Sequence, residues 1–132
     1  MAWQSVGDQL VAAVTSAWAA QGVGVGWAGV TVGEQPLDCA ATPVVAAWVT
    51  GVDADPSPIR CAVTPRVNWT VRVADCGDDP ASWLTLLSAA WCALADWVCA
   101  GDDPEVSFVG ARTDSGGGMV WADLEFVAVE TC

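Results

Sequence analysis

The residues of this chain that are capable of chemistry are its cysteines and carboxylates, because the other common catalytic side chains are missing. The 132 residues include no His, no Lys and no Tyr. A histidine base, a lysine Schiff base, a histidine metal ligand and a P-loop lysine are therefore excluded. Lys and Arg together number 4 against 16 Asp and Glu, so the net charge is −12. Such a chain has too few cations to hold a nucleic-acid backbone or an anionic lipid surface.

Paired carboxylates occur twice, at Asp78–Asp79 and at Asp102–Asp103. Two neighbouring carboxyl groups suit acid–base hydrolysis of glycosides or the binding of a divalent cation. Each pair stands directly before a proline, Pro80 or Pro104, where an aspartate caps a helix or begins a turn. The sequence predicts capping residues here. It predicts no catalytic, cofactor-binding or metal-binding residue, and therefore a protein that is not an enzyme.

Three further motifs are incomplete. Gly22–Gly29 resembles a nucleotide-binding glycine loop but has no strand before it and no lysine after it. Asp53–Asp55 has the spacing that opens a calcium-binding EF-hand loop, which Pro56 interrupts. Asn68-Trp69-Thr70 matches a glycosylation sequon without a visible secretory signal. We interpret the three as a turn, a solvated loop and part of a strand.

Two aromatic residues on predicted strands, Trp69 and Trp121, are able to stack on bases or sugars. The acidic charge of the chain disfavours nucleic acid, and tryptophans on strands usually belong to the core. We therefore predict core positions for both.

The cysteines number six: Cys39, Cys61, Cys76, Cys92, Cys99 and Cys132. No two have the C-x-x-C spacing of zinc or redox motifs. Cys92 and Cys99 lie seven apart on one predicted helix, about 10 Å along its axis, and cannot bridge each other. Three interpretations remain open, namely small core residues, disulfides formed after release from the cell, and metal ligands. Core residues are the prediction.

Two helices are predicted. The first, Ser5–Ala20, begins with a capping box of Ser5 and Asp8 and ends before Gly22. Its apolar stripe consists of Val6, Leu10, Val14 and Trp18. The second, Pro80–Ala100, has Asp79 as N-cap, ends at Gly101 and is apolar around nearly its whole circumference. Such a helix is covered on more than one side.

Alternating and β-branched segments predict the strands. They are Val30–Val32, Pro43–Val52, Val67–Asp75, Glu105–Arg112 and Met119–Thr131, with a turn at Asp114–Gly118. Val67, Trp69, Val71 and Val73 share one face of the third strand. The order of elements predicts an α+β fold in a single domain, residues 1–132. We expect an antiparallel or mixed sheet of four to five strands with two helices packed on one face.

Apolar residues are in excess: 54% of the chain is hydrophobic and 15% is charged. A domain of this size cannot bury them all, so we expect the surplus to lie in contacts between subunits. The longest apolar stretch, Trp83–Ala95, is too short and too polar for a membrane span. No secretory signal is visible at the start. These features predict a soluble protein, made in the cytoplasm, that becomes part of an assembly.

The layout resembles the tail terminator proteins of long-tailed, siphovirus-type phages of actinobacterial hosts. The resemblance rests on the opening helix Ser5–Ala20, the strand region Val30–Val52, the succession Val67–Asp75 and Pro80–Ala100, and the closing hairpin Val106–Thr131. The composition is also similar, being rich in Ala, Val, Gly and Trp and free of Lys. Arg60-Cys61 and Ala74-Asp75-Cys76 resemble neck-region proteins of that phage group.

This resemblance implies a structural virion protein of the phage neck. Such a subunit forms a ring, expected to be a hexamer, that caps the tail tube and ends its polymerisation. The ring joins the tail to the head connector or stopper protein, and DNA passes through its lumen without specific binding. An acidic lumen suits that passage because it repels phosphate. We expect the loops Gly33–Thr42 and Thr113–Gly118 to contact the tube or the connector.

Other interpretations stay open. One is another head–tail connector or tail-completion protein of the neck, which assembles by the same logic. A second, of a different class, is a small secreted binding module stapled by disulfides, which predicts a monomer. An enzyme would require a metal bound at the aspartate pairs.

Overall fold

The computed structural model describes residues 2–34, 38–54, 65–77, 79–100 and 105–129. Its elements are α1 (Ala2–Ala20), β1 (Trp27–Thr31), β2 (Val44–Ala54), β3 (Pro65–Cys76), α2 (Pro80–Cys99), β4 (Glu105–Gly116) and β5 (Met119–Val129). A single turn of 3-10 helix, Cys39–Ala41, lies between β1 and β2 and is called the 39–41 turn below. The α+β class predicted from the sequence is confirmed.

The five strands form one mixed sheet in the order β1-β2-β3-β5-β4. β1 runs parallel to β2, and the other three pairings are antiparallel. β2 is irregular between Val49 and Gly51, and β4 between Phe108 and Gly110. The two free edges therefore differ, since β1 is a short strand of 5 residues and β4 a long one of 12.

Both helices pack on the same face of the sheet, as predicted. The indole Nε1 of Trp18 on α1 donates to the backbone oxygen of Leu86 on α2 at 3.0 Å. Trp97 on α2 donates to the side chain of Gln9 on α1 at 3.2 Å. The largest buried side chains between the layers are Trp18, Phe126, Leu10, Leu94 and Leu124. Trp69 is buried in this core, as expected.

The predicted start of the first helix is wrong. α1 begins at Ala2, so Ser5 and Asp8 lie inside the helix instead of capping it. Their side chains bond along the helix surface: Gln9 donates to Ser5 Oγ, and Gln4 donates to Asp8. Ala2, Trp3 and Gln4 are already helical, so Ser5 is not the residue at which the helix begins. The end is as predicted, with Gly22 at φ +76°.

Strand limits differ from the prediction at two turns. The first strand is Trp27–Thr31 instead of Val30–Val32, because its parallel pairing with β2 begins at Trp27. Val32 lies outside it and is fully exposed. The last turn is shorter than Asp114–Gly118, because β4 continues to Gly116 and only Gly117 and Gly118 stay unpaired. Both have positive φ, the conformation that two-residue hairpin turns require.

The N-terminus of α2 agrees with the prediction. Asp79 is its N-cap and accepts a hydrogen bond from the backbone N–H of Ala81 at 3.1 Å. By length and hydropathy alone α2 passes the test for a membrane span, a test that core helices of soluble proteins also pass. Leu86, Ala90 and Leu94 are buried against the sheet and α1. The predicted stop at Gly101 lies outside the described residues.

Candidate assembly surface

The carboxylates singled out by spacing do not form a catalytic pair where the structure describes them. Asp79 caps α2, and Asp53 accepts from the side chain of Asn68 at 3.0 Å within the sheet. The remaining members of those motifs lie outside the described residues: Asp55, Asp78, Asp102 and Asp103. Within the described ranges, no three Cys, Asp or Glu side chains form a group that could hold a metal ion.

The prediction that the cysteines are core residues is wrong for the four that the structure describes. Cys39 and Cys76 form a disulfide, and their Cα atoms lie 5.2 Å apart. Cys92 and Cys99 are free thiols exposed on α2. Spacing along the chain could not show this pairing, because the two cysteines are brought together by the strand order. Cys61 and Cys132 lie outside the described residues.

The helix layer is narrower than the sheet beneath it. Two packed helices, each about 10 Å across, cover about four strands spaced about 4.8 Å apart. The fifth strand, β4, is left at the side: on its helix-facing surface Phe108 is 44% exposed, and Ala111 and Thr113 are also exposed. The corresponding residues of β5, such as Phe126 and Leu124, are buried. The sheet thus has an apolar surface at β4 that the helices cover only in part.

An apolar groove of about 190 Å³ follows from this mismatch. We call it the α2–β4 groove; it is lined by Trp91, Leu94, Ala95, Val98, Cys99, Phe108, Leu124 and Phe126. Phe108 bridges its walls, with ring centroids 5.3 Å from Trp91 and 5.6 Å from Phe126 in edge-to-face packing. No charged side chain lines the groove, so an occupant without charge would fit best.

The outer face of α2 extends this apolar surface. Leu84 is 59% exposed and Trp91 42%. Asp96 is the single charged residue of the 20-residue helix. A solvated helix face normally carries alternating charges. The cover of α2 on a second side stays a prediction: on that side Trp91 packs in part against Phe108, and Leu84 is exposed.

The backbone of β4 is also unpaired on one side. β4 pairs with β5 through Glu105–Gly116, and its other edge has no partner among the described strands. A long exposed edge beside an apolar groove is a template for pairing with another chain. Val109, 59% exposed, stands at the irregular step of this edge.

The opposite face of the sheet contains a buried ion pair that the sequence did not predict. Arg72 donates to both carboxylate oxygens of Asp123, at 2.7 and 2.8 Å, and to Glu34 at 2.7 Å. The guanidinium carbon lies 5.3 Å from the ring of Trp48 and 5.5 Å from that of Trp121. Trp121 thus packs beside this cluster on the helix-free face instead of in the main core.

The electrostatics of this cluster keep the arginine charged. The hydrogen bonds that Arg72 donates to Asp123 raise the pKa of Arg72 most, burial opposes them, and Glu34 adds a further increase. Because its ordinary pKa is already far above neutrality, Arg72 stays cationic across the physiological range. Through its bond to Glu34, Arg72 attaches the connection that follows β1 to the centre of the sheet.

The two predicted docking loops approach each other at one end of the sheet. The disulfide joins the 39–41 turn to Cys76 at the end of β3. The Sγ of Cys76 also lies 3.5 Å from the backbone oxygen of Gly118 in the β4–β5 turn. Sequence gave no reason to place 33–42 beside 113–118, because the disulfide and strand order bring them together. Residues 35–37 lie outside the described chain.

Comparisons with known proteins find similarity among solved structures only. No protein-family model matches the chain, and no curated protein matches it. Among solved structures, a chain from the "Virion of native gene transfer agent (GTA) particle" is similar with a TM-score of 0.49 and 18% identity. The match covers 93% of this chain and 84% of that one. At this TM-score the likeness carries no argument about function.

Proposed function

We propose that this protein is a non-catalytic structural subunit of a phage virion that assembles with copies of itself. The observation that carries the proposal is the α2–β4 groove beside the unpaired edge of β4. Apolar, uncharged surfaces of this kind mark permanent subunit contacts, which resemble a domain core cut in half. The similar solved structure also comes from a virion, but its similarity to this chain is too low to support the proposal.

The finer role that we propose is that of a tail terminator in the phage neck. The two free sheet edges are unlike, so a contact from one to the other is head-to-tail. Head-to-tail contacts close into rings when the rotation allows it. In this role a ring, expected to be a hexamer, caps the tail tube protein, joins the head connector or stopper, and lets DNA pass without specific binding. Another connector or tail-completion protein of the neck is the alternative within this class.

The edge-to-edge contact accounts for the incomplete helical cover. If β4 pairs with β1 of the next copy, the sheet continues, and α1 of that copy follows next to α2. α1 lies over β1 and β2 and carries Asp8 as its single charged residue. The groove would then lie beside a helix that carries a single charge.

The first experiment is the solution mass, measured by native mass spectrometry and by light scattering, with and without reductant. A hexamer of the 13.6-kDa chain has a mass of about 82 kDa. We expect this species, or association towards it with rising concentration. A monomer at every concentration, with purified tail tube present, contradicts the proposal.

Two charge-matched variants locate the contact. Val109→Glu places a carboxylate at the β4 edge, whereas Val52→Glu places the same charge on an exposed residue of β2, a strand that is not at either free edge of the sheet. We expect Val109→Glu to abolish the assembled species and Val52→Glu to leave it unchanged. Equal effects of the two variants would mean that charge alone, not the β4 edge, controls assembly.

The docking role of the hairpin turn is tested separately. Deletion of Gly116–Gly118 is expected to reduce head–tail joining in a complementation assay while the ring mass is retained. Normal joining by the deletion variant would remove the 113–118 loop from the proposal.

A disulfide-stapled binding module is the second candidate function, and the Cys39–Cys76 disulfide is the observation that favours it. It predicts a monomer under all conditions, and a fold that collapses on reduction. The mass and the circular dichroism spectrum with reductant distinguish the two candidates.

A further inference from the structure

The connection between β1 and β2 is attached to the helix-free face of the sheet at two described points. Glu34 bonds to Arg72 at 2.7 Å, and Cys39 is joined covalently to Cys76. Between the two attachments lie the residues of the predicted docking loop. These two attachments therefore determine how firmly the 39–41 turn is held on the sheet.

The hydrogen bonds of the 39–41 turn are internal. Asp38 accepts from the backbone N–H of Ala40 and of Ala41, and Cys39 accepts from the backbone and hydroxyl of Thr42. Among the bonds found for described residues, the link from this turn to β3 is the disulfide. The noncovalent hold consists of Ala41, which packs against the apolar cluster of this face, and of the backbone of Ala41 and Thr42, which lies close against Gly26.

The cluster beneath the turn is apolar and buried. Its members are Val44, Ala46, Trp48, Ala74 and Met119, with Trp27, Ala41, Cys76 and Trp121 packed around them. If the turn moves away, part of this cluster meets solvent. The disulfide is also accessible, because Cys39 is exposed. Exposed disulfides are the ones that thiols exchange with most readily.

We propose that the Cys39–Cys76 disulfide is a redox latch, which holds the 39–41 turn closed on the sheet when formed and releases it when thiols reduce it. In the release step a dithiol donates two electrons. Its thiolate attacks Sγ of Cys39, Cys76 leaves as a thiolate and takes up a proton, and the second thiol displaces Cys39 while closing its own disulfide. The turn is then held only by noncovalent contacts, those of Ala41 with the apolar cluster and of its backbone with Gly26, and the neighbouring segment by Glu34.

The latch has a consequence for assembly that rests on the proposed function. A subunit made in a reducing cytoplasm has an open 39–41 turn and presents the apolar cluster to its neighbours. Oxidation after release from the cell closes the turn. The predicted docking loop thus changes its contacts between assembly and the mature particle.

Hydrogen exchange with mass spectrometry tests the latch. On reduction with dithiothreitol we expect exchange at Ala40–Thr42 to rise about tenfold or more, with less than about a twofold change in β3 and β5. The variant Cys39→Ser/Cys76→Ser should exchange fast without reductant and not respond to it. The control, Cys92→Ser/Cys99→Ser, removes the exposed thiols of α2 and should respond as the wild type does.

Three results would overturn the latch. One is peptide mapping that finds Cys39 and Cys76 as thiols in protein isolated in air. Another is unchanged exchange at the 39–41 turn after mass spectrometry has shown the disulfide reduced. The third is loss of protection throughout β3 and β5, which would make the disulfide a requirement of the whole fold. These readouts are independent of ring mass, so failure of the latch and failure of self-assembly are separate results.

Discussion

At the scale of single residues, Arg72 shows how one cation organises a whole face of the sheet. Its charge is satisfied by Asp123 and Glu34, and its flat group is stacked between Trp48 and Trp121. The stabilising contribution of Arg72 persists below its unfolded pKa and is lost only as pH rises through its raised folded pKa. That window lies at strongly alkaline pH, so titration of Arg72 gives no pH dependence near neutrality.

Removal of Arg72 should cost far more than removal of a surface arginine. Arg72→Ala leaves Asp123 buried without its cation, and loss of one partner of a buried pair costs about 3–5 kcal/mol. Arg112→Ala is the control, since its pair with Glu125 spans 3.4 Å at an exposed site and should change stability by less than about 1 kcal/mol. Urea unfolding of both variants measures the difference. Equal midpoints would contradict the central role of Arg72.

At Gly7, replacement of a helix glycine by alanine should destabilise the protein instead of stabilising it. Gly→Ala inside a helix normally stabilises, by about 0.5–1 kcal/mol. A Cβ at Gly7 would lie 2.6 Å from the ring of buried Trp69, so we expect Gly7→Ala to destabilise by about 1–3 kcal/mol. Gly24→Ala is the control, because its Cβ would meet open space. Thermal unfolding decides the sign.

At the scale of elements, the helix layer and the sheet do not match in width, and the groove results from that mismatch. α2 was predicted to be covered on more than one side because apolar residues surround it. The structure covers one side with α1 and the sheet, while Leu84 and Trp91 stay exposed on the other. The tertiary contacts that stabilise this helix therefore come from one side, through Leu86, Ala90 and Leu94.

The cap of α2 gives a prediction at this scale. Asp79→Ala removes the acceptor for the N–H of Ala81, and loss of an N-cap costs about 1 kcal/mol. Asp38→Ala removes the same kind of acceptor from the short 39–41 turn and is expected to leave global stability nearly unchanged. Denaturant unfolding monitored by circular dichroism compares the two. A larger loss for Asp38→Ala would mean that the turn supports the whole fold.

At the scale of the whole molecule, net charge and apolar surface act against each other. Copies that carry −12 repel one another, whereas the α2–β4 groove favours their association. The repulsion acts over the Debye length, which falls from about 30 Å at 0.01 M salt to about 8 Å at 0.15 M. Assembly should therefore depend on ionic strength.

We expect added salt to strengthen self-association. The assembled fraction at fixed protein concentration, measured by sedimentation velocity, should rise between low and moderate salt. An interface built on ion pairs would give the reverse, since salt weakens such pairs. Val52→Glu, with one added charge away from both free sheet edges, should follow the wild-type trend shifted slightly to higher salt.

Local patterns were enough to predict most elements of this protein. Alternation in Val67–Asp75 placed a strand inside β3, Asp79 and Pro80 marked the start of α2, and Gly22 the end of α1. These signals are local, because periodicity and capping depend on neighbours within a few residues. The start of α1 was missed, since Ser5 offers a capping side chain whether or not the helix extends beyond it.

Tertiary structure alone decided which distant residues meet. The strand order brought Arg72 to Asp123, 51 positions away, and Cys39 to Cys76, 37 positions away. It also left β4 at an edge that the helices cover only in part. Pairings of this kind depend on the order of the strands in the sheet, which local sequence patterns do not indicate. The composition predicted a surplus of apolar surface. Only the packing of two helices on five strands determined where that surplus lies.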